Sequence, residues 1–433
     1  MKHRTSRLLL AIIMIFLLTF STAWAGGVYL YEVATPDVGL AGAGYAARAQ
    51  DASTVFTNPA GMTRLDRSEL QAGLEPIYLR ARFGPDANTS ASNISMPDGS
   101  GAANGNASGI IPAGSLFYVH KISDDLAAGF GVLGFFGLSA EYEDNWVGRY
   151  YATKVQMQGL TLMPSVAYRL SDKFSIGAGL NAMYGMLDEK AAVNNRGPLN
   201  PNAADGSLEV KDNVWGYGGK FGLLYEPEKG TRVGLTYLTK TKLDFSATPT
   251  LVNVRPALAT LIAHHIDLTM TAPQQVILSG YHELTDKWAV MGNVGWENWQ
   301  DFGKIDVAVT VDETASTFSD TVNAHYQNTW HVALGAQYKV SEPWLISFGG
   351  AYDSSMVDGA NRTPTLPLGA MWRIAVGAQY AMSQTMTLSG GYEYLWVGNL
   401  PMDVNRGPLA GRVSGEYNDV SMQVLTVLLS WKM

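Results

Sequence analysis

A period of two runs through this chain and limits what it can fold into. Between residues 173 and 186, Phe174, Ile176, Ala178, Leu180, Ala182, Tyr184 and Met186 share one face of an extended chain. Lys173, Ser175, Gly177, Gly179, Asn181 and Gly185 take the other, joined by Met183. Residues 368–380 set Leu368, Ala370, Trp372, Ile374, Val376, Ala378 and Tyr380 against Gly369, Arg373, Gly377 and Gln379. Residues 385–396 repeat the pattern, with Met386, Leu388, Tyr392, Tyr394 and Trp396 on one face. Soluble sandwiches use strands of roughly five or six residues. Longer alternation with aromatic residues towards the strand ends predicts a transmembrane β-barrel.

The connections fix the strand number. Short polar turns fall at 123–125, 170–173, 226–230, 284–287, 340–343 and 381–384. Longer polar segments separate them, near 84–110, 141–153, 188–209, 247–263, 311–320, 353–366 and 398–415. Six short and seven long connections make thirteen, which predicts an all-β, 14-stranded antiparallel barrel. Short periplasmic turns and long outer loops are the outer-membrane arrangement, and an even strand count returns both chain ends to the periplasmic side. Leu425, Val427, Leu429, Trp431 and Met433 alternate up to the final residue, as a lipid-facing closing strand would.

The N-terminus sets the compartment. Lys2, Arg4 and Arg7 precede the apolar run 8–20, and Ala23-Trp24-Ala25 has the small-x-small form of a cleavage site. Residues 1–25 therefore read as a secretory signal peptide. Thirteen apolar residues are too few for a bilayer of roughly 30 Å. Removing the three signal-peptide bases leaves 30 − 3 = 27 basic residues against 38 acidic, a net charge near −11. That balance argues against a nucleic-acid partner. Cysteine is absent, so there is no thiol chemistry.

Motifs for catalysis are missing as well. No G-x-S-x-G, H-E-x-x-H or P-loop pattern occurs, and "GFGVLG" (129–134) runs on into strand-like sequence rather than the helix a dinucleotide site needs. His264 and His265 are adjacent, but Asp267 alone accompanies them as a possible ligand. The chain thus reads as a non-enzyme with no catalytic residues, no metal and no cofactor.

Before the first strand comes a small-residue stretch, "VGLAGAGYAARAQDA" (38–52), ending in Asn58-Pro59-Ala60-Gly61. Pro59 lacks an amide hydrogen and Gly61 tolerates angles other residues avoid, so the tetrapeptide is no ordinary strand. On its own it reads as a tight turn. The predicted third strand, residues 125–142, carries Gly129, Gly131, Gly134 and Gly137 around Phe135 and Phe136. Glycine within a strand weakens pairing and permits a bulge or bend.

Together with segments 163–185, 272–302 and 352–380, "DASTVFTNPAGM" makes the chain resemble the FadL family of outer-membrane long-chain fatty-acid transporters, which includes the TodX hydrocarbon-uptake branch. The resemblance implies three regions: a signal peptide (1–25), an N-terminal plug or hatch (26–67) and a barrel (68–433). It places Asn58, Pro59, Ala60 and Gly61 in the plug. It also implies that ligand captured outside passes a shifting plug and leaves sideways, where an inward kink of strand three opens the wall. Gly129, Gly131, Gly134 and Gly137, with Phe135 and Phe136, would then line that exit. On the other reading, the same glycines make room for the plug.

A fatty-acid carboxylate needs a nearby cation. Arg373, on the lumen face, and Arg362, in the preceding loop, are the candidates. The function implied is passive uptake of hydrophobic compounds, long-chain fatty acids first, in the outer membrane of a Gram-negative cell. Its partners would be the hydrophobic ligand, outer-membrane lipid and the barrel-assembly machinery, with the protein acting as a monomer. The alternatives are uptake of aromatic or aliphatic hydrocarbons, and a structural or adhesive barrel acting through its long outer loops.

Overall fold

Alternation becomes wall because each strand finds both neighbours. A computed structural model describes residues 29–31, 33–90, 104–196, 200–311, 316–365, 367–407 and 410–433. The expected signal peptide lies outside these residues. Fourteen strands close the wall: β1 (Glu69–Pro85), β2 (Gly109–Lys121), β3 (Leu126–Glu141), β4 (Lys154–Ser171), β5 (Phe174–Val193), β6 (Gly206–Glu228) and β7 (Thr231–Leu238), followed by β8 (Gln275–Glu283), β9 (Trp288–Glu297), β10 (Thr329–Ser341), β11 (Trp344–Asp353), β12 (Met371–Ala381), β13 (Met386–Asn405) and β14 (Arg412–Lys432). Each pairs antiparallel with its sequence neighbours, and β14 closes on β1 from Glu69↔Lys432 to Pro85↔Gly415. Closure matters because lipid offers no partner to an open sheet edge. No described helix is long and apolar enough to cross a membrane.

The outer surface bears two aromatic belts. Phe174 stacks on Tyr225 (4.5 Å), and Trp288 meets Tyr338 (4.5 Å) and Trp344 meets Tyr380 (4.7 Å) at a tilt, all beside the short turns. Tyr184 meets Trp215 (5.1 Å) and Tyr352 meets Trp372 (4.8 Å) at the other end. Trp344 to Tyr352 is about 27 Å of strand at roughly 3.4 Å per residue. Tilted by roughly 40°, that spans close to the apolar band of an outer-membrane barrel. Lipid-facing Leu74, Ile110, Leu334 and Ile374 fill the space between.

The connections follow the expected short-long order, but several of the long ones are shorter than expected. Strand reaches into both ends of segments 188–209 and 398–415, expected as loops, and 316–320 of the expected loop 311–320 are strand as well. β5 and β6 continue pairing to Val193↔Gly206. Above β7–β10 stands a separate four-stranded sheet, ordered Ser316–Asn323, Lys304–Val311, His265–Ala272, Thr241–Ala247.

Candidate functional site in the lumen and wall

Residues 33–65 lie inside the barrel with nearly every side chain buried. A segment so rich in Ala and Gly brings its backbone close to the wall, and each backbone polar group there needs a partner. Polar side chains of the wall supply them. Gly44 N–H donates to Asn293 Oδ1 (2.8 Å) and Ala46 N–H to Ser279 Oγ (2.9 Å). Ala52 N–H donates to Glu69 (3.1 Å) and Ala34 N–H to Glu75. In the other direction, Arg232 donates to the carbonyls of Ala47 (2.8 Å) and Arg48 (3.0 Å). Inside the segment, Arg48 is neutralised by Asp37 (2.5 Å) and Asp51 (2.6 Å), the pairing that a buried charge requires.

Asn58 caps a 3-10 helix, Pro59–Arg64, with Pro59 at its start. Asn58 Oδ1 accepts from Ala60 N–H (3.1 Å), while Nδ2 donates to Ala46 O (2.6 Å) and to Leu223 O of β6 (3.0 Å). One side chain thus closes its own turn, ties it to the rest of the segment and fixes it to the wall. A Cβ at Gly177 would strike Ala60, and one at Gly222 would strike Asn58. Gly61 packs on Thr54 and Ala49.

The wall is interrupted at β3. Its ladder with β2 runs from Lys121↔Ala127 to Ser115↔Leu133, while β2 goes on pairing with β1 as far as Leu79↔Gly109. The β3–β4 register slips between Leu133 and Phe136. At the break, the N-terminal segment takes the place of a neighbour: Leu30 N–H donates to Phe135 O (2.8 Å), and Tyr29 bridges to Phe136. The four glycines divide by height. Gly129 and Gly131 face Val55, and a Cβ at Gly129 would also meet Met62; both side chains belong to the N-terminal segment. Gly134 faces open space, with Gly159 O at 3.8 Å. Gly137 has φ +150°, a conformation side chains resist, and a Cβ there would lie 2.7 Å from Met157 O. A cavity of about 400 Å³ spans the break, from lipid-facing Leu74 and Leu160 to Leu30, Phe136 and Met422 inside.

Neither candidate arginine stands free. Arg373 faces the lumen, as its place in the alternation requires, but donates to Asp353 (2.6 Å) and lies 3.5 Å from Glu393. His331 completes this cluster at 2.7 Å from Asp353 and stacks on Tyr31 (4.0 Å). Arg362 lies in the outer loop and donates to Leu368 O (3.2 Å) and Pro401 O (2.6 Å). Burial lowers its pKa, against the pull of nearby Asp358.

A third cation was overlooked in the sequence. Lys220 of β6 is fully buried, donates to Tyr45 OH (2.9 Å) and sits 4.6 Å over the Phe56 ring. Among the described residues no carboxylate lies within ion-pair distance of it. Its position was readable from parity: Tyr217, Phe221, Leu223 and Tyr225 face lipid, so Lys220 must face inwards.

Comparison with known proteins agrees with this geometry. Residues 16–430 match the model of a family described as outer membrane protein transport protein (OMPP1/FadL/TodX). Outer membrane protein P1 of Haemophilus influenzae is 30% identical over 372 residues, covering 78% of this chain and 79% of that protein. The long-chain fatty acid transport protein of Escherichia coli K12 is 26% identical over 381 residues, covering 80% and 82%. Among solved structures, a Pseudomonas aeruginosa FadL homologue superimposes with a TM-score of 0.84 at 21% identity, covering 94% of this chain and all of that one. The Pseudomonas putida toluene transporter TodX gives 0.67 at 15% identity, covering 94% and 99%.

Proposed function

Because this chain belongs to the OMPP1/FadL/TodX family of outer-membrane transport proteins, we propose that it is a passive uptake channel for long-chain fatty acids. The observation that carries this reading is the apolar cavity crossing the wall where β3 parts from β2. A path ending sideways in the bilayer suits a ligand that prefers lipid to water. Each buried methylene contributes roughly 0.8 kcal/mol, so capture and sideways release need no energy source. Residues 26–67 act as the plug, and movement of their first described residues, Tyr29 to Tyr31, admits ligand to the gap at Phe135 and Phe136. The protein works as a monomer surrounded by outer-membrane lipid, is delivered there by the barrel-assembly machinery, and carries out no catalysis.

Lys220 favours an acid over an aromatic hydrocarbon. A buried cation without a counter-ion is costly, and a ligand carboxylate reaching it would relieve that cost through a charge-assisted hydrogen bond. Arg373 already holds two acidic neighbours, so it serves the wall rather than the ligand.

Labelled oleate, methyl oleate and toluene, offered to cells whose own transporters are deleted, test the reading. Oleate uptake should depend on this protein. Lys220→Met should lower its affinity for oleate by roughly ten- to a hundredfold, the worth of one charged hydrogen bond, and leave methyl oleate unchanged. Protein-dependent uptake of toluene alone would move the function to hydrocarbons. No uptake of any of the three would leave the loop-mediated adhesive barrel as the better account.

A further inference from the structure

Strands β7 to β10 stop on one row. Leu238 at the end of β7 pairs with Gln275, Gln275 with Glu297, and Glu297 with Thr329 at the start of β10. Beyond that row the chain continues as the four-stranded sheet, whose ladders run only among its own strands. The links are brief and irregular: Thr239-Lys240, Pro273-Gln274, the turn Trp299–Phe302 and residues 324–328. Four aligned interruptions in adjacent strands make a hinge line, because no hydrogen-bonded ladder crosses them.

The sheet beyond the hinge has its polarity inverted relative to the wall. Its buried face carries Leu243, Phe245, Leu268, Met270, Ile305 and Val307. Its exposed face carries Lys242, Asp244, Lys304 and Asp306. Strand Thr241–Ala247 lies across the inner side of β5 and β6, where Leu243 rests on Gly185 and Gly216. The sheet therefore covers the mouth from within, apolar side down.

The hinge row is also where the N-terminal segment is held. Glu297 accepts from Tyr31 OH (2.7 Å), Gln275 Nε2 (2.8 Å) and Trp299 Nε1 (2.6 Å). Tyr29 OH donates to Pro273 O (2.7 Å), and its ring packs on Trp299 at 5.2 Å. Pro273 and Trp299 both lie on the sheet's side of the row. Between the two tyrosines, Leu30 is bonded to Phe135 at the break in the wall.

We propose that the four-stranded sheet is a lid that swings on this row, and that its opening draws Tyr29–Tyr31 away from β3. The outer mouth and the side gap then open as one event. Coupling of this kind needs an element with two arrangements that both sites bias, and the tyrosine-bearing strap is that element.

The proposal rests on the transport reading, and its test separates the two. The chain has no cysteine, so the pair Gly185→Cys with Leu243→Cys can lock the lid; a Cβ at 185 would lie 3.1 Å from the Leu243 side chain. Oleate uptake should fall at least tenfold on oxidation and recover with reductant. Nitroxides at Lys304→Cys and Lys229→Cys should report a second distance population when oleate is added. Tyr29→Phe should slow uptake several-fold while that second population persists, which a merely structural role would not produce. Equal uptake by the oxidised and reduced pair overturns the lid, as does a single unchanged distance population. Tyr29→Phe at the wild-type rate overturns the coupling. If the unmodified protein takes up no oleate, the transport reading fails instead, and the nitroxide distances alone decide the lid.

Discussion

Two parts of the wall carry glycines and behave in opposite ways. At β11–β13, Gly349, Gly350, Gly377, Gly390 and Gly391 interrupt nothing: the ladder runs from Trp344↔Tyr380 to Asp353↔Met371 without a slip, and Gly377 faces Gly391 in register. At β3, where Gly129, Gly131, Gly134 and Gly137 stand close together, the pairing with β2 ends. The difference lies in what stands opposite. Gly377 and Gly349 meet the backbone of Gly39 and Leu40, so the missing side chains are replaced by main chain and the sheet stays filled. Gly134 meets open space and Gly137 has turned to positive φ. Glycine within a strand is permissive, and the packing beside it decides whether the strand bends.

The largest effect should come from removing the filling altogether. Without residues 26–60 the barrel should still assemble, because the ladders that join its fourteen strands run among those strands, but it should pass small ions in planar bilayers far more readily than the whole protein. Equal conductance with and without the segment would mean that it does not occlude the lumen.

A gentler disturbance tests the seat itself. Gly349→Val would drive a side chain into the Leu40 backbone. Overpacking of this kind costs about 1–3 kcal/mol. The variant should leak ions intermittently and unfold in detergent at a lower temperature than the unmodified protein. Behaviour like that of the unmodified protein would show that the N-terminal segment yields at that contact.

Much of the wall was legible because lipid and ladder both impose a period of two. The inward face of Arg373 follows from that alone, and strand number and turn order follow from the polar connections between the alternating stretches. Asn58-Pro59-Ala60 announced a bend, but the partners of Asn58, 165 residues away at Leu223, could not be read locally. The lid was hidden because "KIDVAVTV" (304–311) alternates like any barrel strand. Its signal was the sense of the alternation. Barrel strands place apolar side chains against lipid, whereas Lys304 and Asp306 mark an exposed face that never meets it. Glu297 was unremarkable in sequence because its importance comes from four donors brought together by folding, Gln275, Thr329, Tyr31 and Trp299.

Within β3 the comparison narrows to single residues. Gly137→Ala places a Cβ in a backbone conformation that costs roughly 1–3 kcal/mol and against Met157 O. It should favour regular pairing and slow oleate uptake several-fold, while assembly and ion tightness stay unchanged. Unaltered uptake would remove the bend at Gly137 from the exit.

Gly134→Ala should have the smallest effect. Its backbone is not in the positive-φ region, and a methyl there would touch only Gly159 O at an ordinary 3.8 Å. Gly131 differs, since a Cβ would press on the Phe117 ring at 3.1 Å. If the break is set by Gly137 and by the absence of main chain opposite, an alanine at 134 should leave oleate uptake within about twofold of normal, because Ala differs from Gly within a strand by well under the cost of a lost pairing. Initial uptake rates of Gly134→Ala and Gly137→Ala, measured side by side at equal surface abundance, decide the matter. Equal slowing by both would mean that the stretch from 134 to 137 bends as a unit through its total chain flexibility, and the positive φ at Gly137 would then be a consequence of the break rather than its cause.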